Sequence, residues 1–176
     1  ITHEAGSEYT DAGAEWSDAV DGTGQAQVSG EINASKPGTY FLTYTHSDVA
    51  GNVAQTFTRT VNVLDTTAPV ISLNGDSNIT HEAGTAYFDA NAIWTDAVDG
   101  SGIIHAQGEV DVSSPGVYVL SFNYTDTAGN ATDTVTRTVT VVDTTVPVIT
   151  LNGDANVTHE AGSAYVDLNA SWYDLV

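Results

Sequence analysis

The chain has 176 residues and a formal net charge of −20 at pH 7, because 23 Asp and Glu residues face only three Lys and Arg residues. Nucleic acids and anionic membrane surfaces are bound by clustered basic residues, so neither is expected as a partner. The sequence has no Cys, which excludes disulfides as a source of stability, and it has no apolar run long enough to insert in a membrane.

Short alternating runs of apolar and polar residues, separated by Gly, Pro, Asn and Asp, predict β-strands along the whole chain. The clearest set lies in the middle of the sequence, and no segment of ten or more residues has a helical period. In chain order, the predicted strands of this middle part lie within residues 70–73, 78–81, 87–94, 103–112, 117–125 and 134–142.

An internal repeat of 78 residues organises the sequence. The segment ITHEAG at residues 1–6 recurs at 79–84, and as VTHEAG at 157–162. Residues 1–65 align with 79–143 without a gap at 35 of 65 identical positions, and 66–98 align with 144–176 at 23 of 33. A fixed period of this kind is typical of a tandem array.

Proline marks the boundaries between the repeats. Pro69 and Pro147 each follow an Asp-Thr-Thr-x segment, and Pro is confined to the start or the edge of a strand. We therefore predict an incomplete first domain at 1–65, which lacks its first strand, a complete domain at 66–143, and the N-terminal part of a third domain at 144–176.

About seven short strands in a unit of this length predict an all-β fold of tandem immunoglobulin-like β-sandwich domains. The runs VYVLSFNYTDTAGN (117–130), TRTVTVVDTT and HEAGxxY, together with the turn DAVDG, resemble the bacterial immunoglobulin-like repeats of large surface adhesins. The resemblance spans the whole chain. It implies a secreted or cell-surface stalk of many domains, which in that group is often stiffened by calcium between domains.

The order of strands in such a sandwich predicts where the acidic loops lie. The linker, the turn that follows the second strand and the loop before the last strand should meet at one pole, where they face the base of the preceding domain. The carboxylates expected at this junction are Glu4, Asp65, Asp96, Asp99 and Asp126, and the next junction repeats the pattern with Glu82, Asp143 and Asp174.

Five carboxylates packed together repel one another unless a cation lies between them. Ca²⁺ accepts six to eight oxygen ligands in flexible geometry, whereas Mg²⁺ keeps several waters, and soft metals lack their preferred thiolates here. We therefore expect calcium as the cofactor. The alternative interpretation is that these residues are solvated acids that cap turns.

No catalytic constellation is evident, and an active site copied every 78 residues is not expected, so the chain is not predicted to be an enzyme. The main hypothesis is a structural segment of an extracellular stalk, adhesin or filament, whose partners are neighbouring repeats and other copies of itself in a fibre. The alternatives are a module that binds a glycan or a protein, for which an exposed Trp would be the signature, and an accessory domain of a secreted enzyme.

Two further residue types have a predicted structural role. Arg59 and Arg137 fall in phase with inward-facing residues. A cation in that position must be paired, so each is expected to form an ion pair with a nearby acid. Trp16, Trp94 and Trp172 recur at the repeat period and are expected to anchor the core of each domain.

Overall fold

The computed structural model describes residues 1–176, and every regular element in it is a β-strand. It contains no helix that could cross a membrane. The strands are β1 (Thr2–Glu4), β2 (Glu15–Asp18), β3 (Gly22–Gln25), β4 (Gln27–Ser29), β5 (Gly38–Thr45), β6 (Phe57–Leu64), β7 (Val70–Leu73), β8 (Asn78–Glu82), β9 (Ala92–Asp96), β10 (Gly100–Ile104), β11 (Gly116–Phe122), β12 (Val135–Val142), β13 (Val148–Leu151) and β14 (Ala170–Tyr173).

Residues that alternate along these strands alternate in burial. In β11, Leu120 and Phe122 are buried while their neighbours are more exposed, and in β12 Val139 and Val141 are buried on either side of the less buried Thr140. Such a period of two is what a strand with one face in the core requires. The predicted all-β fold is confirmed.

The strands form five sheets, with the orders β1-β6-β5-β4, β2-β3, β10-β9-β7, β11-β12-β8 and β13-β14. Most pairs are antiparallel, but β1 pairs with β6 in parallel and β8 pairs with β12 in parallel. The parallel register aligns Glu4 with Leu64 and Glu82 with Val142. Each glutamate therefore lies beside the strand end that leads into the next linker.

The Cα trace divides into two compact units, each formed by several segments of the chain. In the first unit, Ala5, Val61 and Val63 form one buried apolar cluster, and Leu42, Tyr44, Ala92 and Ile104 are also buried. The first unit comprises Ile1–Ser72, Ala92–Ile104 and Asn123–Asp133, and the second comprises Leu73–Asn91, His105–Phe122 and Thr134–Val176. Residues of the second repeat occur in both units, and the domain boundaries drawn after residues 65 and 143 stay a prediction.

Both inward-phased arginines form ion pairs, as predicted. Arg137 is fully buried and donates to the Asp89 carboxylate at 2.6 Å and to the carbonyl oxygens of Asn74 at 2.6 Å and Asp76 at 2.9 Å. Arg59 donates to Asp11 in the same way, with about a quarter of its side chain exposed. A buried guanidinium is tolerated only when its donors are satisfied in this manner.

The strand predicted over residues 117–125 ends earlier than its alternation suggests. β11 stops at Phe122, and Thr125 then forms an isolated bridge with Ala131. The bridge closes a short loop at residues 126–130, within which Gly129 adopts a φ of 97°. The strand shortens because this loop closes on itself through its own hydrogen bonds.

Candidate metal centre

Glu4 fixes the linker that follows the first repeat. Its carboxylate accepts hydrogen bonds from the backbone N–H of Thr66 at 3.0 Å, from the Thr66 hydroxyl at 2.5 Å and from the Thr67 hydroxyl at 2.7 Å. Hydrogen bonds from Thr66, and then from Thr67, stabilise the charged form and lower the pKa of Glu4 to about 2. The carboxylate therefore remains ionised on the linker.

Glu82 repeats this arrangement one period later. It accepts from the backbone N–H and hydroxyl groups of Thr144 and Thr145, at distances between 2.7 and 3.1 Å. These hydrogen bonds lower the pKa of Glu82, those from Thr144 contributing most. The Asp-Thr-Thr segment after each repeat is thus held by the glutamate of the HEAG motif.

Three of the predicted acids meet in the first unit. One carboxylate oxygen each from Asp65, Asp96 and Asp126 lies within 4.8 Å of the other two. Asp65 directly follows β6, Asp96 ends β9, and Asp126 begins the closed loop after β11. Three separate chain segments therefore contribute to one cluster.

Local hydrogen bonds hold two of these carboxylates in place. Asp96 Oδ1 accepts from the backbone N–H groups of Val98 at 2.7 Å and Asp99 at 2.9 Å, which forms the turn between β9 and β10. Asp126 accepts from the backbone N–H of Asn130 at 2.7 Å and from its side-chain amide at 2.8 Å. The amide of Asn130 also donates to the carbonyl oxygen of Asp65 at 3.2 Å, which joins the linker to the loop.

The third carboxylate is incompletely satisfied. Asp65 Oδ2 is buried and has no hydrogen-bond partner. Desolvation, followed by the charges of Asp96, Asp126 and Glu4, raises the pKa of Asp65. Burial also acts to raise the pKa of Asp126, which is 7% exposed, but hydrogen bonds from Asn130 outweigh it and lower that pKa. The cluster thus combines two well-held carboxylates with one that lacks a counter-charge.

The donor set fits a hard divalent cation. Ca²⁺–oxygen distances of about 2.3–2.6 Å place oxygens on opposite sides of one ion about 5 Å apart. The oxygen separations in the cluster, all within 4.8 Å, match that range. Every donor is an oxygen, which suits calcium rather than soft metals.

The other predicted ligands are not part of this group of three. Asp99 accepts from the Thr127 backbone N–H at 2.7 Å and hydroxyl at 2.8 Å, and Glu4 and Glu82 hold the linkers. Asp143 and Asp174 belong to no group of three potential metal ligands. The position equivalent to Asp126 in the third repeat is not among residues 1–176, so the site at the second junction stays a prediction.

Sequence reasoning missed the role of the linker threonines. Thr66, Thr67, Thr144 and Thr145 supply the donors that occupy the two glutamates. The signal was present, because Asp-Thr-Thr recurs at the same distance from each His-Glu pair. In the sequence alone, this segment marks only the boundary between repeats.

The recurring tryptophans of the first two repeats are covered by neighbouring groups. Trp16 lies against Gly24 and stacks on His46, with ring centroids 3.9 Å apart. Trp94 lies against Gly102 in the same way and stacks on Tyr124 at 4.2 Å. Both indoles are nevertheless only half-buried, and Trp172 is 73% exposed. The prediction that the three tryptophans anchor the core of each domain is therefore wrong.

A family model described as "Bacterial surface protein, Ig-like domain" matches residues 1–63 and 71–141, which is more than half of the chain. Among curated proteins, hyalin from Lytechinus variegatus is 37% identical over 157 residues, covering 81% of this chain and 29% of that protein. Hyalin from Strongylocentrotus purpuratus is 32% identical over 162 residues, covering 86% of this chain and 14% of that protein. The chain therefore spans less than a third of the length of these relatives.

Among solved structures, a lipoprotein from Bacteroides thetaiotaomicron matches with a TM-score of 0.37 and 28% sequence identity. The match covers 44% of this chain and 39% of that one.

Proposed function

The chain belongs to the family of bacterial surface protein Ig-like domains, and from this premise we propose that it is a structural segment of a surface stalk, adhesin or filament whose repeats are joined through calcium. The family places the chain outside the cell or at the cell surface and gives its repeats the immunoglobulin-like β-sandwich fold. The role is structural rather than catalytic. Neighbouring repeats are its first partners, and further copies in a fibre are the next.

The cluster of Asp65, Asp96 and Asp126 is the observation that carries the calcium proposal. Its strongest feature is the buried Oδ2 of Asp65, which has no donor within reach. A buried acceptor without a partner is costly, and Ca²⁺ bound by the three carboxylates would satisfy it while neutralising their mutual repulsion. The net charge of −20 favours a divalent cation over any other small ligand.

The attachment of each carboxylate indicates what a bound ion would join. Asp65 belongs to a linker that Glu4 fixes to the first repeat, whereas Asp96 and Asp126 belong to a turn and a loop of the second repeat. A cation held by all three would connect the two repeats and restrict bending at the linker. A stiff joint at every period would let a tandem array extend a distal part of the protein away from the cell surface.

The test is thermal unfolding of this chain in excess calcium and in chelator, with magnesium at equal concentration as the control for charge screening. We expect calcium, but not magnesium, to raise the melting temperature. Equal melting temperatures in calcium, magnesium and chelator would refute the calcium joint, while the assignment to the surface family would stand.

A further inference from the structure

The turn between β9 and β10 makes an apolar contact with the first repeat. Val98, at the centre of this turn, packs against the buried cluster of Ala5, Val61 and Val63. Tyr9, Ile32 and Tyr40 surround the same cluster. A side chain from the second repeat therefore seats in the base of the first.

The backbones of the two repeats approach closely beside this contact. A Cβ atom placed on Gly6 would lie 2.9 Å from the Cβ of Ala97, which is nearer than real Cβ contacts allow. Gly6 also has a φ of 76°, a conformation that favours glycine. Gly6 of the HEAG motif thus leaves room for the turn that contains Ala97, and it also adopts the positive φ that its own turn requires.

We infer that the base of a repeat is a docking socket for the Asp-x-Val turn of the repeat that follows, and that this contact orients the two repeats without a cation. The inference deepens the proposed function and rests on it, since it concerns the same joint. The socket is the set Ala5, Tyr9, Ile32, Tyr40, Val61 and Val63 with Gly6 at its rim. The partner it fits is another copy of this repeat, because Asp-Ala-Val-Asp-Gly occurs at 18–22 and at 96–100.

Calcium and the socket then have separate tasks. Apolar burial is non-directional and insensitive to chelators, whereas Glu4 and the acid cluster act through hydrogen bonds and charge. The socket determines the position of the turn against the preceding repeat, and the cation restricts bending about that position. A joint of this kind would keep its mean geometry in chelator and lose it when the buried valine is replaced by a charged residue.

Distance measurements between paired spin labels test this directly. The chain has no Cys, so the exposed residues Thr58 in the first repeat and Ser101 in the second can both be changed to Cys. The two introduced Cys residues are then the only sites that take a spin label. Val98→Asp is compared with Val20→Asp, which alters the matching turn of the first repeat, where the valine is 91% exposed. Far-UV circular dichroism of each variant checks that its strands are retained.

In chelator, we expect a single narrow distance distribution for the unmodified joint and for Val20→Asp, and a distribution at least twice as wide for Val98→Asp. A broad distribution for the unmodified joint in chelator would overturn the inference, since calcium alone would then order the joint. A narrow distribution for Val98→Asp would overturn it equally.

Gly6→Ala provides a second variant that leaves the apolar residues unchanged. Its control is Gly162→Ala, at the same motif position with a φ of 85° and nothing within 4 Å of the added Cβ. Both changes introduce the same backbone strain, so only the clash with Ala97 separates them. We expect Gly6→Ala alone to broaden the distance distribution, and equal distributions for the two variants would contradict the socket.

These results are distinguishable from failure of the proposed function. If calcium leaves both the melting temperature and the distance distribution unchanged while Val98→Asp broadens the distribution, the socket stands and the calcium joint fails. If calcium narrows a distribution that Val98→Asp does not affect, the calcium joint stands and the socket fails.

Discussion

Asp65→Asn should change stability in opposite directions with and without calcium. Without metal, one carboxylate oxygen of the half-buried Asp65 is enclosed near two other carboxylates, and desolvation together with their charges raises the pKa of Asp65. A carboxyl whose folded-state pKa lies above its unfolded value stabilises the fold only at low pH, and that contribution is lost as the pH rises through the folded pKa. At neutral pH its charge therefore costs stability, and the neutral amide avoids this cost.

The magnitude follows from the geometry of the cluster. At 4.8 Å, the upper limit of the oxygen separations in the cluster, two carboxylates repel by about 3 kcal/mol at an effective dielectric constant of 20. Solvent screening of the partly exposed Asp65–Asp96 pair lowers this repulsion to about 1 kcal/mol. A change of about 1 kcal/mol moves the melting temperature of a domain of this size by roughly 4–8 °C. Calcium at about 100 times its dissociation constant adds about 2.7 kcal/mol, or roughly 10–20 °C by the same conversion.

The assay is differential scanning calorimetry at pH 7 in calcium and in chelator. In chelator, Asp65→Asn should melt a few degrees above the unmodified chain, whereas in calcium it should melt well below it. Asp143→Asn is the matched control, because the equivalent linker acid belongs to no carboxylate cluster and should leave the calcium shift intact. A variant at Asp65 that retains the full calcium shift, or that loses equal stability in both conditions, would refute the reasoning.

Arg137→Ala should lower the free energy of unfolding in urea by about 3–5 kcal/mol, because it leaves a buried carboxylate without its partner. Arg59→Ala should lower it clearly less, since the Arg59–Asp11 pair is partly exposed. Equal losses would contradict the idea that burial sets the size of the effect. Glu4→Gln should lower stability at pH 6, and the difference from the unmodified chain should disappear as the pH falls from about 4.5 through about 2. The reason is that a carboxylate whose pKa is lowered by folding stabilises the fold only while it is ionised, and this contribution is lost as the pH falls through its folded-state pKa. A stability difference that persists at pH 2 would show that the charge of Glu4 is not its cause. Gly102→Ala should disturb the near-ultraviolet circular dichroism of tryptophan, because the added Cβ would lie 2.6 Å from the indole nitrogen of Trp94. Gly116→Ala is the control, since its Cβ would make only an ordinary contact at 3.6 Å. Equal spectra for the two variants would rule out the clash.

Patterns with a single physical cause could be predicted from the sequence. Alternation of apolar residues indicated the strands around Leu120 and Val139, because a half-buried strand has no other arrangement. The inward phase of Arg59 and Arg137 required partners, and both have them. The repeat itself implied that equivalent residues make the same contacts at each junction. The matching hydrogen bonds of Glu4 with Thr66 and of Glu82 with Thr144 illustrate this.

The candidate site could be predicted only in part, because strand order determines the pole at which a residue lies but not its partner there. Asp65, Asp96 and Asp126 were placed at one pole and do meet. Glu4 was placed at the same pole, but its oxygens are taken by the linker hydroxyls of Thr66 and Thr67. Competition among donors within a few ångströms depends on side-chain geometry, which residue spacing alone does not specify.

Calorimetric titration of calcium into the metal-free chain, with Asp126→Asn alongside, tests the central claim most directly. We expect saturable binding of about one ion per chain, since the described residues hold one carboxylate cluster, and loss of that binding in the variant. Weak, unsaturable heats that are identical in both proteins and that disappear in added sodium chloride would show only screening of surface charge, and would contradict a calcium-locked joint.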